Sequence, residues 1–247
     1  MITKSNYQNE HSWLYSPYAV MQIRMNGQLL LLMLAEKIYH AGGELIFVNT
    51  DAVTFKCKKS LEPTIKQIIK DFENKTGLGF GTDYFTYFAQ LAVNDYFGKT
   101  DKGEIVEKGS FITSVKLGKG LTPKIIPKAV IKYFLEGIKP EKYIKSCTDI
   151  KDFLMSEKTG KQWTVEYNGV KQQRTNRFYA STDGYFLFKY KIEDGVKKYQ
   201  NMLTASGITL LNNLNDLKDN PKINYQYYIT EANKIIAQFK CKQLSLF

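Results

Sequence analysis

The chain has 247 residues, 43% of them apolar, enough for one large domain or two small ones with a buried core. Thirty-five Lys and Arg against 24 Asp and Glu give a formal charge of +11, which points to a polyanionic partner ahead of an acidic small substrate. Cys57, Cys147 and Cys241 are odd in number and scattered, and His11 and His40 are the only histidines; neither a disulfide framework nor a zinc site is suggested, and a multi-histidine metal centre is excluded, so a hard-cation site would rest on carboxylate oxygens.

The apolar run Leu29 to Ala35 is too short to span a bilayer, and no charged-then-apolar leader precedes it. A reducing, cytoplasmic setting is therefore expected, without a membrane partner.

In chain order, Asn26 predicts a helix cap, with Leu29, Leu30, Met33, Leu34 and Ile38 at helical spacing until Gly42-Gly43. A hairpin follows, with strands Glu44–Val48 and Ala52–Phe55 around the polar tip Asn49-Thr50-Asp51. That tip reads either as plain turn chemistry or as a carboxylate held for a metal. Ser60 and Pro63 then open a second helix, with Ile65, Ile68, Ile69 and Phe72 on its apolar face and Gly77 at its end. Tyr84 to Phe97 predicts a strand, turning at Lys99 to Gly103 into a short strand from Glu104.

Composition shifts near residue 110. Residues 111–147 carry eight lysines, including Lys116, Lys119, Lys124 and Lys128, and an amphipathic stretch from Ala129 to Ile138 with Lys128 and Lys132 on its wetter side. A β-rich part from Trp163 to Tyr190 is punctuated by Asn168-Gly169 and Asp183-Gly184, both hairpin signals. A closing helix is expected from Tyr225 to about Lys240. The pattern is α+β: an antiparallel sheet with packed helices over residues 1–110, then a mixed helical and β domain over 111–247. The many tyrosines and phenylalanines are expected mainly in the core, and no stacking platform is read from them.

The run Asn26-Gly27-Gln28-Leu29, an apolar helix, Gly42-Gly43, a strand and Asn49-Thr50-Asp51 resembles the third palm motif of family B DNA polymerases, particularly phage members. Val93-Asn94-Asp95-Tyr96 followed by Lys108-Gly109 resembles that family's primer-template elements near the palm-thumb junction. Gln173 to Tyr179 resembles a thumb segment of phage-type members. The resemblance covers about Ser12 to the terminus. It implies a DNA-directed DNA polymerase (a nucleotidyltransferase) of phage DNA replication, with a palm over residues 1–110 and a thumb over 111–247.

The resemblance further implies that Asp51 binds catalytic Mg²⁺, with primer-template DNA and dNTP as the other ligands. Asn49 stands where the family has a second Asp, and its neutral carbonyl oxygen is a weaker Mg²⁺ ligand. The family's earlier palm Asp and its fingers Lys have no counterpart here, and Met1 to Tyr7 resembles the region just past the fingers. A complementing N-terminal polymerase chain is thus expected to supply exonuclease, fingers and the first palm Asp, completing a two-ion site; alone, the chain is expected to be inactive.

Tyr96 and Lys108 are the expected primer-template contacts, with Lys116, Lys119 and Arg177 on phosphates. A core position for Tyr96, a solvated basic face for the lysines and an Arg177–Asp183 pair are the plain alternatives. The terminal Gln243-Leu244-Ser245-Leu246-Phe247 resembles the pentapeptide by which bacterial and phage replication proteins bind the bacterial-type sliding clamp; Leu246 and Phe247 would be the apolar anchors. This adds a bacterial or phage-infected cell as the expected setting. A non-catalytic DNA-binding and clamp-tethering module derived from a polymerase is the other reading of the same residues, and a basic RNA-associated protein is a third that rests on charge alone.

Overall fold

The computed structural model describes residues 4–49, 51–113, 120–202, 207–217 and 219–244, with side chains between 6 and 239. The chain is α+β, and every strand pair is antiparallel among the described residues. It divides into two compact units, Met1–Asp83 and Tyr84–Phe247. None of its described helices is long and apolar enough to cross a membrane.

The first unit opens with α1 (Lys4–Gln8) and α2 (Pro17–His40). Helix α2 starts ahead of the expected Asn26 because Ser16 is the true cap, its Oγ accepting the Ala19 N–H at 3.2 Å, with Pro17 preset for the first turn. Asn26-Gly27 therefore lies inside the helix. A Cβ at Gly27 would meet nothing within 4 Å, so this glycine is tolerated at about 1 kcal/mol relative to alanine.

After Gly42, at φ +91°, the chain forms the two-stranded sheet β1 (Glu44–Asn49) and β2 (Ala52–Lys56). Leu45, Val53 and Phe55 pack against Leu34 and Ile38 of α2 and Ile65 and Phe72 of α3 (Glu62–Thr76). Ser60 does not cap α3; it sits in a 3-10 turn, Lys59–Leu61, and Leu61 occupies the cap position without a side-chain bond. The expected Gly77 stop holds, in the left-handed conformation at φ +70°.

In the second unit, the strand expected from Tyr84 to Phe97 is two strands, β3 (Phe85–Ala92) and β4 (Asp95–Thr100), turning at Val93-Asn94; with β5 (Ile105–Lys108) they make a three-stranded meander. The two compact units divide at Asp83–Tyr84, and the composition shifts near residue 110. Phe97, fully buried on the inner face of β4, joins Phe111, Phe134 and Phe239, with ring centroids 5.1, 6.0 and 5.9 Å away. That aromatic cluster binds the meander to α4 (Ile125–Glu136) and α6 (Tyr225–Leu244).

Helix α5 (Pro140–Ser146) completes the helical part. Two further sheets follow, ordered β12-β9-β6 and β11-β10-β7-β8. Their strands are β6 (Met155–Lys158), β7 (Thr164–Tyr167), β8 (Val170–Gln172), β9 (Thr175–Tyr185), β10 (Leu187–Glu193), β11 (Val196–Asn201) and β12 (Ile208–Leu210).

Asn168-Gly169 turns between β7 and β8 as expected, both residues at positive φ. Asp183-Gly184, in contrast, is not a turn and lies within β9. A Cβ at Gly184 would sit 2.1 Å from the Ile208 carbonyl oxygen, so glycine is required there for close approach of two backbones. The second such turn is Asp194-Gly195, at φ 50° and 75°, between β10 and β11.

Helix α4 is buried at Ile125, Ile126, Pro127, Ala129, Val130 and Ile131. Lys128 is not on a solvated face. Its Nζ donates to both Asp152 oxygens, at 2.8 and 2.7 Å, tying α4 to the turn Ile150–Phe153. Desolvation pulls the Lys128 pKa down, but the doubly bonded Asp152 carboxylate more than offsets this and the net shift is upward.

Tyr228 of α6 is fully buried. Its hydroxyl accepts the Ala180 N–H at 2.7 Å and donates to the Phe153 carbonyl at 2.9 Å, and burial pushes its pKa far up, so it stays neutral. Tyr228→Phe keeps the ring and strands both partners. The urea midpoint should fall, corresponding to a loss of about 1–3 kcal/mol at constant m-value; an unchanged midpoint would remove Tyr228 from the set of interactions that fix α6.

Candidate metal-binding hairpin and nucleic-acid contacts

The β1–β2 ladder pairs Val48 with Val53 and Asn49 with Ala52, so Asp51 lies at the tip between the two strands. Thr50 lies outside the described residues. Asp51 is exposed and Asn49 half-buried. The strand alternation anchors the hairpin through Leu45, Val53 and Phe55, while the tip carries the carboxylate into solvent. A register irregularity between Leu45 and Phe47 lies near the base and leaves the three pairs from Phe47–Thr54 to Asn49–Ala52 in register.

Among the described residues no three His, Cys, Asp or Glu side chains gather in one place. Asp51 offers two oxygens, whereas Mg²⁺ takes near-octahedral coordination and a two-ion site needs bridging carboxylates. The residues at this tip do not by themselves fit such a site.

The second group of expected site residues comes together in the meander. Tyr96 of β4 and Lys108 of β5 are direct cross-strand partners, with Gln90 of β3 beyond Tyr96. This row lies on the face opposite the buried Ala89–Phe97 pair. Tyr96 is half-buried, its ring 5.2 Å from that of Phe88, and Lys108 is exposed.

The link between the two motif elements is physical. Gly109 has φ +68°, and a Cβ there would meet the Asn94 carbonyl oxygen at 2.3 Å. Asp95 Oδ1 accepts from both the N–H and the Oγ of Ser110, each at 2.7 Å. The absence of positive charge at Asp95 thus has a local use: its carboxylate clasps the Lys108-Gly109-Ser110 corner onto the β3–β4 turn.

Arg177 of β9 stands opposite Ser156 of β6, and its main-chain N–H donates to Asn212 Oδ1 at 2.8 Å. The expected alternative, a pair with Asp183, is not formed; Asp183 instead accepts from Ser181 Oγ at 2.5 Å. Among the described residues, neither the buried Arg177 Nε nor the buried Ser156 Oγ has a hydrogen-bond partner. Because Arg177 lies on a different sheet from Tyr96 and Lys108, it does not extend their row.

Lys116 and Lys119 lie outside the described residues. Helix α6 runs through Gln243 and Leu244; Ser245, Leu246 and Phe247, and the side chains of Gln243 and Leu244, also lie outside them.

Two features escaped sequence reasoning. One is the Lys128–Asp152 pair, for which no sequence signal existed. The other is the exposed aromatic face of β10 and β11, which the Asp194-Gly195 dipeptide between two alternating runs signals. A search with protein-family models finds no match to this chain, and a search of curated proteins finds none either.

Proposed function

We propose that this chain is the palm and thumb part of a DNA-directed DNA polymerase of phage type, contributing one metal-binding carboxylate and primer-template contacts to nucleotidyl transfer in phage DNA replication. The observation that carries this reading is Asp51, exposed at the tip between two core-anchored strands. Such a mounting fixes a ligand rigidly and leaves its oxygens open, the condition for a preorganised ion site. The Tyr96–Lys108 row supports it, since a phenol beside an ammonium on a sheet face suits a sugar-phosphate strand. Magnesium ions, when bound, would stabilise charge on the transferring phosphoryl group; their remaining ligands would belong to a complementing chain, and no step is assigned to Asp51 beyond ligation.

Helix α2 supports the need for that chain. Tyr18, Met21, Met25, Leu29, Leu32 and Tyr39 recur at spacings of three, four and seven along one stripe, and all are about half exposed or more. The opposite stripe, Val20, Leu31, Leu34, Ala35 and Ile38, is buried. An apolar, methionine-bearing helix face of this length matches the core of a protein interface.

The test is reconstitution. The chain mixed with a polypeptide carrying fingers and the first palm Asp should extend a primed template, and neither part should do so alone. Failure of every such mixture to incorporate dNTP, with DNA binding retained, would leave the chain as a non-catalytic DNA-binding and clamp-tethering module.

The terminal pentapeptide assigns a further partner, a bacterial-type sliding clamp. Removing Gln243 to Phe247 should abolish clamp binding in a surface-plasmon assay while leaving unfolding by urea unchanged; clamp binding that survives the deletion rules the pentapeptide out.

A further inference from the structure

Alternate residues of the β11-β10-β7-β8 sheet face opposite sides. On one side Leu187 and Val165 are buried, and Lys189 and Lys191 lie 5.5 and 5.4 Å from the Trp163 ring centroid. Those lysines are occupied, Lys189 with Glu157 and Lys191 with Glu193.

The other side carries Phe188, Tyr190 and Ile192 of β10 and Lys197 and Tyr199 of β11. Tyr190 and Tyr199 are direct cross-strand partners with centroids 5.2 Å apart. Phe188 is 6.2 Å from Tyr199, and Phe186 is 6.2 Å from Phe188. Four rings therefore form one continuous row. Phe186 and Tyr199 are 46% and 51% exposed, while Phe188 and Tyr190 are half-buried, so among the described residues two rings of the row stay open to solvent.

Cations border the row. Lys197 Nζ lies 4.6 Å from the Tyr190 ring centroid, and Tyr190 and then Tyr199 are the main causes of an upward shift in its pKa. At the other edge Lys171 of β8 faces Glu166 of β7, which in turn faces Phe188. That carboxylate disfavours a phosphate at its own position, leaving Lys197 and Lys171 as the two outer anchors.

We propose that this aromatic face is a binding platform for a single nucleic-acid strand, with bases stacked on the row from Phe186 to Tyr199 and phosphates met by Lys197 and Lys171. Every base has a π-face, so such a row binds without reading sequence. A duplex cannot use it, because its bases are already stacked and their faces hidden. An apolar protein partner fits less well, since two of the four rings carry phenol hydroxyls and the Lys197 ammonium lies over Tyr190, and the chain's charge of +11 favours a polyanion. The inference needs neither Asp51 nor a complementing chain, and so stands or falls apart from the polymerase reading.

The experiment is fluorescence anisotropy with the full chain and a labelled oligothymidylate, in parallel with a hairpin duplex. Phe186→Ala and Tyr199→Ala should each weaken single-strand binding about tenfold, whereas Tyr199→Phe, which keeps the ring, should stay near wild type. Lys197→Ala should reduce the slope of log K against log salt by about 0.7, one phosphate contact on a single strand. Duplex binding should not change in any variant, and circular dichroism should show an intact fold because the substituted side chains are exposed. No binding of the oligothymidylate, unchanged binding in the Phe186→Ala/Tyr199→Ala double variant, or an equal loss on the duplex would each overturn the platform.

Discussion

Asp51→Ala is expected to abolish dNTP incorporation by the reconstituted polymerase, a loss on the order of 10³-fold or more, while leaving DNA binding by this chain unchanged. The carboxylate is exposed at the tip and outside the core of its unit, so its removal should alter stability by no more than about 0.5 kcal/mol. Asp51→Asn sharpens the test. If Asp51 is there for turn chemistry, asparagine serves equally well, since both side chains bond to nearby backbone and tolerate tight turns. If it is there as an anionic ligand, asparagine is nearly as damaging as alanine, because its neutral oxygen cannot compensate cationic charge. The measurement is single-turnover primer extension beside anisotropy on the same primer-template. Full activity of Asp51→Asn would assign the residue to the turn alone.

What could be read from the residues, and what could not, follows the range of the interactions involved. The β1–β2 hairpin was legible because Gly42-Gly43 and the polar tip bracket two short apolar runs. Gly77 was equally plain as a helix stop. The start of α2 was not, because Asn26-Gly27 looks like a cap, whereas Ser16-Pro17 stands in an aromatic stretch with no obvious period.

Asp183-Gly184 and Asp194-Gly195 are the same dipeptide with different duties. One is a turn; the other is a strand position where the Ile208 backbone comes close, a contact that no local pattern contains. Lys128 likewise reads as one more surface lysine until Asp152 is beside it. At the candidate site the resemblance named Tyr96 and Lys108 separately, but their adjacency depends on a meander whose first turn, Val93-Asn94, was read as continuous strand. The aromatic face of the last large sheet stayed hidden for the opposite reason: counting tyrosines and phenylalanines says nothing of which side of a sheet they occupy.

A charge on the outer stripe of α2 is expected to have the second-largest effect. Met25→Glu or Leu29→Glu should prevent assembly with the complementing chain while leaving the isolated chain as stable as before. Both side chains are more than half exposed, at 53% and 55%, and neither belongs to the cluster formed by Leu34, Ile38, Ile65 and Phe72. In the free chain the new carboxylate remains hydrated, so folding feels little of it. In the complex it would be carried into an apolar interface without a partner, where desolvation costs several kcal/mol, about a hundredfold or more in affinity. Met25→Leu and Leu29→Met conserve volume and polarity and should assemble normally. Analytical ultracentrifugation of the mixture measures the association directly, and primer extension should fall in the same proportion. If the Glu variants instead assemble and extend primers like wild type, the apolar stripe is not where the two chains meet.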